Sequence, residues 1–201
     1  MPKYQCLLTT KDVKWILASS CPWDFSEFTA IDDAAAERLS RYRGDLHFYG
    51  VSSLSDAAAK SFSRHKGQLD LSNVTNLSDA AVKSLSKHDG NLYLGVTSLS
   101  DAGVKALSKH NGALVLTNLR RLSVAAAKIL SKHEGWSLHF GGLTSLSSAA
   151  AESLSRYKGH LSIYNLRRVS AAAAKSLSKH EDLDAGHIED RVSAARSASE
   201  R

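Results

Sequence analysis

The 201-residue chain has few of the residues that mark disulfide-rich, linker-divided or membrane proteins. Its two cysteines, Cys6 and Cys21, are too few for a disulfide framework, which favours a reducing, cytoplasmic location. Its two prolines, Pro2 and Pro22, leave no proline-rich linker. No apolar run approaches the ~18 residues of a membrane span, and the first ten residues do not predict a signal peptide. We therefore expect one cytoplasmic domain.

The charge excess is small. The chain has 26 basic and 20 acidic residues, a net charge of +6 that is no larger than solubility requires. Apolar residues make up 43% of the chain, which excludes compositional disorder. A chain of this length can bury a sizeable core.

A repeat runs through most of the chain. A glycine follows each Lys/Arg–His/Tyr–X triplet, at intervals of 22 to 24 residues: Gly44, Gly67, Gly90, Gly112, Gly135 and Gly159. An apolar residue opens each unit 13 residues before its glycine: Ile31, Leu54, Leu77, Leu99, Leu122 and Leu146. This period is typical of stacked repeat proteins. We predict regular repeats over 31–182, a degenerate aromatic capping repeat over 1–30 that contains Trp23, and a C-terminal cap and polar tail over 183–201.

The opening half of each repeat predicts a short helix. In the unit that ends at Gly67, Ser55 is placed to cap the helix N-terminus. Ala58, Phe62 and His65 follow the spacing of one buried helix face. Gly67 is predicted to end the helix in the left-handed conformation.

The closing half predicts a short strand with alternate side chains directed inward. The clearest cases are Leu69–Leu71, Leu92–Leu94, Leu114–Leu116 and 161–163. One helix and one strand cannot bury a core alone, so the repeats must stack. The predicted fold is an α/β solenoid with one parallel β-sheet of short strands backed by a layer of short helices. We interpret Gly141-Gly142 as a turn that accommodates the one extra residue of its repeat.

The Leu-x-Leu strand, the apolar residue that follows it and the helix resemble leucine-rich repeats, most closely short bacterial types. The resemblance covers residues 8–188. Asn73, Asn118 and Asn165 come two residues after the second strand leucine, whereas three is usual in that family, and Gly50 and Gly142 replace Asn elsewhere. The resemblance implies that the open face of the sheet is the binding surface.

Seven residues on that face are candidate partner contacts: His47, Tyr49, Asp70, Tyr93, His139, His160 and Tyr164. Aromatic side chains with a polar tip favour binding patches, because they supply contact area with few rotors to freeze. The hypothesis is a non-enzymatic module that binds a partner protein, as a monomer or a weak end-to-end oligomer. An ordinary solvated sheet face, on a scaffold without a specific ligand, is the alternative.

Two arginine pairs occupy the same repeat position two units apart: Arg120, Arg121, Arg167 and Arg168. Four guanidinium groups favour a phosphate or an acidic partner, so nucleic-acid or polyanion binding is a second hypothesis. Duplication of a two-repeat unit with solvated arginines is the simpler alternative.

A histidine column also recurs, at His65, His88, His110, His133 and His180, with Tyr42 and Tyr157 at the equivalent place. Tyrosine does not replace a zinc ligand routinely, so a structural role is predicted and no metal or cofactor is expected. The sequence lacks the Gly-x-Ser-x-Gly, phosphate-loop and dinucleotide motifs, and no enzyme activity is predicted. Basic residues that recur on the helices predict a solvated outer surface: Lys60, Lys83, Lys105, Lys128, Lys175, Arg64, Lys87, Lys109, Lys132 and Lys179.

Overall fold

A computed structural model describes residues 6–18 and 25–199, so Cys21 and Trp23 lie outside the described residues. The strands are β1 Leu7–Leu8, β2 Ala30–Ile31, β3 Leu46–His47, β4 Leu69–Leu71, β5 Leu92–Leu94, β6 Leu114–Leu116, β7 Ser137–Phe140, β8 His160–Ser162 and β9 Leu183–Asp184. The helices are α1 Thr10–Ala18, α2 Asp33–Leu39, α3 Asp56–Phe62, α4 Asp79–Leu85, α5 Asp101–Leu107, α6 Val124–Leu130, α7 Ser148–Leu154, α8 Ala171–Leu177 and α9 Glu189–Ser199. A 3₁₀ turn at Gly186–Ile188 precedes α9.

Seven of the strands form one parallel sheet. Strands β3 to β9 lie in chain order, and each pairs in parallel with the next. The predicted α/β solenoid of short strands and short helices is therefore confirmed. Strands β1 and β2 form a separate two-stranded parallel sheet, in which each strand lies directly before its helix. An isolated parallel bridge between Ser145 and Arg168, near the C-terminal end of the stack, joins two repeats at the equivalent place.

Strand and helix share one core. Leu69 and Leu71 are fully buried on the inner side of β4, as the alternation predicts. Ala58 and Phe62 meet them from α3 and are equally buried, and the ring of Phe62 lies 5.3 Å from that of Phe48. Small alanines let each helix approach the sheet and the next helix closely.

The serine caps join neighbouring repeats. The Ser55 hydroxyl accepts a hydrogen bond from the amide of Ala58 at 2.9 Å, which confirms the predicted N-cap. The same hydroxyl donates to the carboxylate of Asp33, at the start of the preceding helix. Ser100 donates to Asp79 in the same way, at 2.6 Å. One side chain thus caps its own helix and ties it to the previous one.

The prediction that Gly67 ends the helix in the left-handed conformation is wrong. Helix α3 ends at Phe62, and among the described residues only Gly186 has positive φ, at 49°. Close approach of consecutive turns requires the glycine instead, because a Cβ on Gly67 would lie 2.4 Å from the carbonyl oxygen of Gly44. A Cβ on Gly112 would lie 2.0 Å from that of Gly90.

Gly141-Gly142 is a turn, as predicted, but the one extra residue of its repeat lies elsewhere. Register pairs Leu114 with Leu138, which places the extra residue at Trp136, before β7, and not at Gly141-Gly142. The inserted indole is 61% exposed. Gly142 serves close contact, since a Cβ there would lie 2.6 Å from the backbone of Asn118.

The shifted asparagines still bind the preceding repeat. The side-chain amide of Asn118 donates to the carbonyl of Gly95 at 3.2 Å, and that of Asn165 donates to Gly141 at 2.7 Å. Asn73 donates to the corresponding carbonyl of Tyr49. These bonds satisfy backbone groups between strand and helix, where no ladder continues.

The C-terminal end of the stack is covered by α9. Ile188 and Val192 are buried against the last repeat. Arg191 and Arg196 donate to backbone carbonyls of the repeat beneath, at 2.8 and 3.1 Å. None of the helices that the structure describes combines the length and apolarity of a membrane span.

Candidate functional site

The strand register aligns the outward side chains in rows. The central row is His47, Asp70, Tyr93, Val115, His139, Ser162 and Asp184. The row before it is Asp45, Gln68, Asn91, Ala113, Ser137, His160 and Asp182, and the row after it is Tyr49, Ser72, Gly95, Thr117, Gly141, Tyr164 and Gly186. We call these three rows the sheet face. It contains four aspartates and neither lysine nor arginine.

A polar cluster occupies the N-terminal end of the sheet face. Tyr49 Oη hydrogen-bonds His47 Nδ1 at 3.2 Å, and the two rings stack. Asp70 lies 3.9 Å from His47 Nδ1 and accepts the amide of Ser72 at 2.9 Å. Burial raises the pKa of Tyr93, and the nearby Asp70 carboxylate adds to that effect. The structure therefore brings four of the predicted contact residues together.

Asp70 differs from the other predicted contacts, because it is only 6% exposed. Its carboxylate serves the backbone and His47, so it positions the cluster from below. The alternation of residues along the strand predicts which side of the sheet Asp70 faces, but it does not predict that this short side chain is buried by its neighbours.

A second polar cluster lies at the C-terminal end. Ser137 Oγ lies 2.7 Å from His139 Nε2, and His160 Nδ1 lies 2.9 Å from a carboxylate oxygen of Asp182. The rings of His139 and His160 are 5.3 Å apart. Burial lowers the pKa of His139, and the neighbouring His160 lowers it further. Ser137 is fully buried, so its hydroxyl orients the imidazole and is not accessible to a ligand.

The middle of the sheet face is flat and carries small side chains. Gly95, Thr117 and Gly141 separate the exposed tyrosines Tyr49 and Tyr164, which are 52% and 45% exposed. Five strand steps of about 4.8 Å place the two tyrosines roughly 24 Å apart. The result is a shallow floor bounded by an aromatic side chain at each end.

Trp136 is a further candidate contact that the sequence analysis did not select. Its carbonyl accepts the amide of His160 at 2.9 Å, which places its backbone beside the C-terminal cluster, and its indole is exposed. The 24-residue interval between Gly135 and Gly159 indicates one inserted residue in this repeat. An inserted residue has no equivalent in the neighbouring repeats, so its side chain does not fit into the regular stack.

The histidine column is part of the core, as predicted. His133 directs Nδ1 to the carbonyl of Leu107 at 3.2 Å and Nε2 to that of Gly112 at 3.3 Å. Tyr157, one repeat later, donates its hydroxyl to the carbonyl of Gly135 at 2.6 Å. At these two positions histidine and tyrosine therefore serve alike, because each ring reaches the glycine carbonyl of the preceding repeat.

Burial dominates the titration of this column. It lowers the pKa of His88 to about 4, and the adjacent imidazoles of His65 and His110 add to the shift. The same cause lowers the pKa of His133 and His180. Within the part of the chain that the structure describes, no three His, Cys, Asp or Glu residues are arranged to hold a metal ion.

The rings of the column stack on one another from repeat to repeat. Consecutive rings from His65 to His133 are 5.7, 6.3 and 6.2 Å apart and lie within 22° of parallel. The column therefore runs along the stack as a continuous row of buried imidazoles.

All four arginines of the two pairs are exposed. Arg120 and Arg121 line a depression of about 340 Å³ together with Asp101. The backbone amides of Arg167 and Arg168 bind the carbonyl of Thr144. Across residues 6–18 and 25–199, no carboxylate forms a salt bridge with any of the four guanidinium groups.

A groove of about 840 Å³ lies between α4 and α5, on the helix side of the molecule and opposite the sheet face. Five lysines line it: Lys66, Lys83, Lys87, Lys105 and Lys109. Small residues on α5 leave it open, with Ala102 and Ala106 in its wall. The sequence predicts a surface position for all of these lysines except Lys66, and in the structure the five line a common space.

Comparison with known proteins gives no match, either to protein-family models or to curated proteins. The class of protein therefore rests on the fold: an α/β solenoid of short repeats with an acidic and aromatic sheet face and a basic helix face.

Proposed function

We propose that this protein is a non-enzymatic interaction module of the leucine-rich-repeat kind, which binds a partner protein through the sheet face. One observation carries the proposal: the outward side chains of this face change from repeat to repeat, while the first inward position of each of its seven strands is leucine every time. Stacking alone does not require this variation. The low cysteine content favours a cytoplasmic setting.

The shape of the face supports a protein ligand. Tyr49 and Tyr164 project from the ends of a floor made by small residues, and Trp136, directly before β7, adds a third exposed aromatic ring. Tyrosine and tryptophan dominate the binding energy of protein interfaces, because they bury a large area at a small entropic cost.

The charge of the face indicates the chemistry of the partner. Asp45 and Asp70 lie at the same end of the sheet face as Tyr49, whereas Asp182 and Asp184 lie at the end that carries Tyr164. Val115 and the small residues around it make the centre apolar. The complementary ligand is a protein segment with an apolar middle and a Lys or Arg near each end, since opposite potentials steer association.

Site-specific crosslinking tests the proposal. Val115 is replaced by the photoreactive p-benzoylphenylalanine, and the protein is irradiated in nuclease-treated lysate of its own host. Ala149, an exposed position on α7, receives the same substitution as the control. We expect a protein adduct from position 115 and none of that mass from position 149.

A second pair of variants tests the aromatic contacts. Tyr49→Ser with Tyr164→Ser should abolish the adduct from position 115, because the boundaries of the site are removed. Trp15→Ser is the control, since Trp15 is 72% exposed on α1, away from the sheet face. Equal adducts from positions 115 and 149, or an adduct that survives the double tyrosine substitution, would refute the proposed site.

A further inference from the structure

The helix side of the solenoid carries one charge pattern through four consecutive repeats. Helices α3 to α6 each present a basic residue at the fifth helical position, and the turn directly after each helix presents another one four residues later: Lys60 and Arg64, Lys83 and Lys87, Lys105 and Lys109, and Lys128 and Lys132. All eight side chains are exposed. We call this surface the basic helix face, and the groove of about 840 Å³ lies at its centre.

Few carboxylates neutralise this face. Arg64 pairs with Glu37, and Lys66 pairs with Asp89 at 2.8 Å. The aspartates of the helix first turns lie at the other end of each helix, where Asp56 and Asp79 accept from serine hydroxyls. Among the residues that the structure describes, none of the four groove lysines on α4 and α5 forms a salt bridge.

The basic helix face ends where the sequence changes at its fifth position. Glu37 in α2 and Glu152 in α7 replace the lysine there. Each pairs with the arginine one turn later, Arg41 at 3.3 Å and Arg156 at 2.9 Å. The two glutamates therefore bound an uninterrupted run of four repeats, and the same basic pair recurs once beyond that run, at Lys175 and Lys179.

From these observations we infer that the basic helix face binds the backbone of a double-stranded nucleic acid, independently of base sequence. A row of equal charges at equal intervals matches a ligand that is itself uniform, and a phosphodiester backbone is such a ligand. The ring spacings of His65 to His133 give the four repeats a length of roughly 18 Å, which corresponds to about five base pairs.

The residue types on this face favour a duplex over a single strand. Proteins that bind single strands stack the bases on aromatic side chains. The exposed residues of α3 to α6 are aspartate, alanine, lysine and Val124, and none is aromatic. Backbone charge is then the one feature of a nucleic acid that this surface can recognise.

Fluorescence anisotropy with a random-sequence DNA duplex of about 20 base pairs, titrated between about 50 and 200 mM KCl, tests the inference. The groove variant is K83Q/K87Q/K105Q/K109Q. The matched control is R120Q/R121Q/R167Q/R168Q, which loses the same charge from the arginine pairs. Thermal unfolding followed by circular dichroism verifies that all three proteins are equally folded. Single-stranded DNA and anionic phosphatidylserine vesicles are additional probes.

Wild-type affinity for the duplex should fall log-linearly with salt. The groove variant should lose about tenfold or more in affinity, and its salt slope should be lower by about 3 to 4, because each phosphate contact contributes about 0.9. The arginine control should retain the wild-type slope. Equal losses in both variants would overturn the inference, since net charge would then explain binding. A larger loss in the arginine variant, no duplex binding by the wild type, or tighter binding to single strands or vesicles would overturn it as well.

Discussion

The two broad faces of this solenoid differ in how their side chains change along the stack. On the basic helix face the same two positions carry lysine or arginine in four successive repeats. On the sheet face the central row passes through histidine, aspartate, tyrosine, valine, histidine, serine and aspartate without repeating. Both faces stand on the same leucine and alanine core, so packing does not account for the difference.

The contrast shows that a repeat protein uses different positions of its repeat for packing and for ligand binding. A position where the backbones of consecutive repeats approach most closely must stay glycine, because a Cβ there would clash with the backbone of the preceding turn. A position that faces solvent is released from that requirement. Variation there suits a ligand of unique shape, and uniformity there suits a uniform ligand. This is why the two faces are proposed to bind different partners.

The largest expected effect is on the free energy of unfolding, and it distinguishes the inward side chain of one strand from its outward neighbour. Leu116 is fully buried on β6, whereas its neighbour Val115 is half-buried on the sheet face. Leu116→Ala should lower the free energy of unfolding by about 2–5 kcal/mol, because it leaves a cavity. Val115→Ala should cost less than about 1 kcal/mol. Urea unfolding of both variants is the measurement, and equal costs would show that the two sides of the strand were assigned wrongly.

Acidification should produce the next largest effect. The pKa of His88 is about 4 in the folded chain and about 6.5 when unfolded, so the unfolded state binds more protons between these values. The stability associated with neutral His88 is complete above pH 6.5. It is lost as the pH falls through 4, at a cost of about 3 kcal/mol. The lowered pKa values of His110 and His133 act in the same direction.

His88→Tyr provides the matched variant for that prediction. Tyr157 already occupies the equivalent place, and its hydroxyl reaches the glycine carbonyl that histidine faces elsewhere. The variant should therefore fold at pH 7 and lose less stability than the wild type between pH 7 and pH 4. Parallel urea unfolding curves at both pH values measure this, and equal losses in the two proteins would mean that the column does not control acid sensitivity.

The smallest expected effects come from two glycine substitutions of opposite sign. Gly112→Ala should destabilise the chain by about 1–3 kcal/mol, because its Cβ would lie 2.0 Å from a backbone oxygen of Gly90. Gly103→Ala should stabilise it by about 0.5–1 kcal/mol, since the nearest atoms to its Cβ are 3.5 Å away and alanine favours a helix. Thermal unfolding compares both with wild type, and destabilisation by Gly103→Ala would contradict the open packing between α4 and α5.

Local chemistry made much of this fold predictable from the sequence. The Ser55 cap, the inward leucines of β4 and the buried His65 each follow from the residue type and its spacing within one repeat. The role of Gly67 was not predictable in this way, because it depends on the distance between two turns.

The candidate sites were predictable only in part, for a related reason. Alternation placed His47 and Tyr93 on the correct face, but it did not reveal that Asp70 is covered. The groove lysines Lys83 and Lys105 belong to different helices, and their shared space depends on how far apart those helices stand. Distances between repeats are properties of the stack, and a single repeat does not encode them.

The central claim is that the two faces are separate binding surfaces, and chemical-shift mapping by NMR tests it most directly. The isotope-labelled protein is titrated with the random-sequence duplex. The account predicts shifts for amides in the C-terminal turns of α3 to α6, while amides of β4 to β8 and of Tyr49 and Tyr164 stay unchanged. Shifts concentrated on the sheet face, with the helices unaffected, would contradict it.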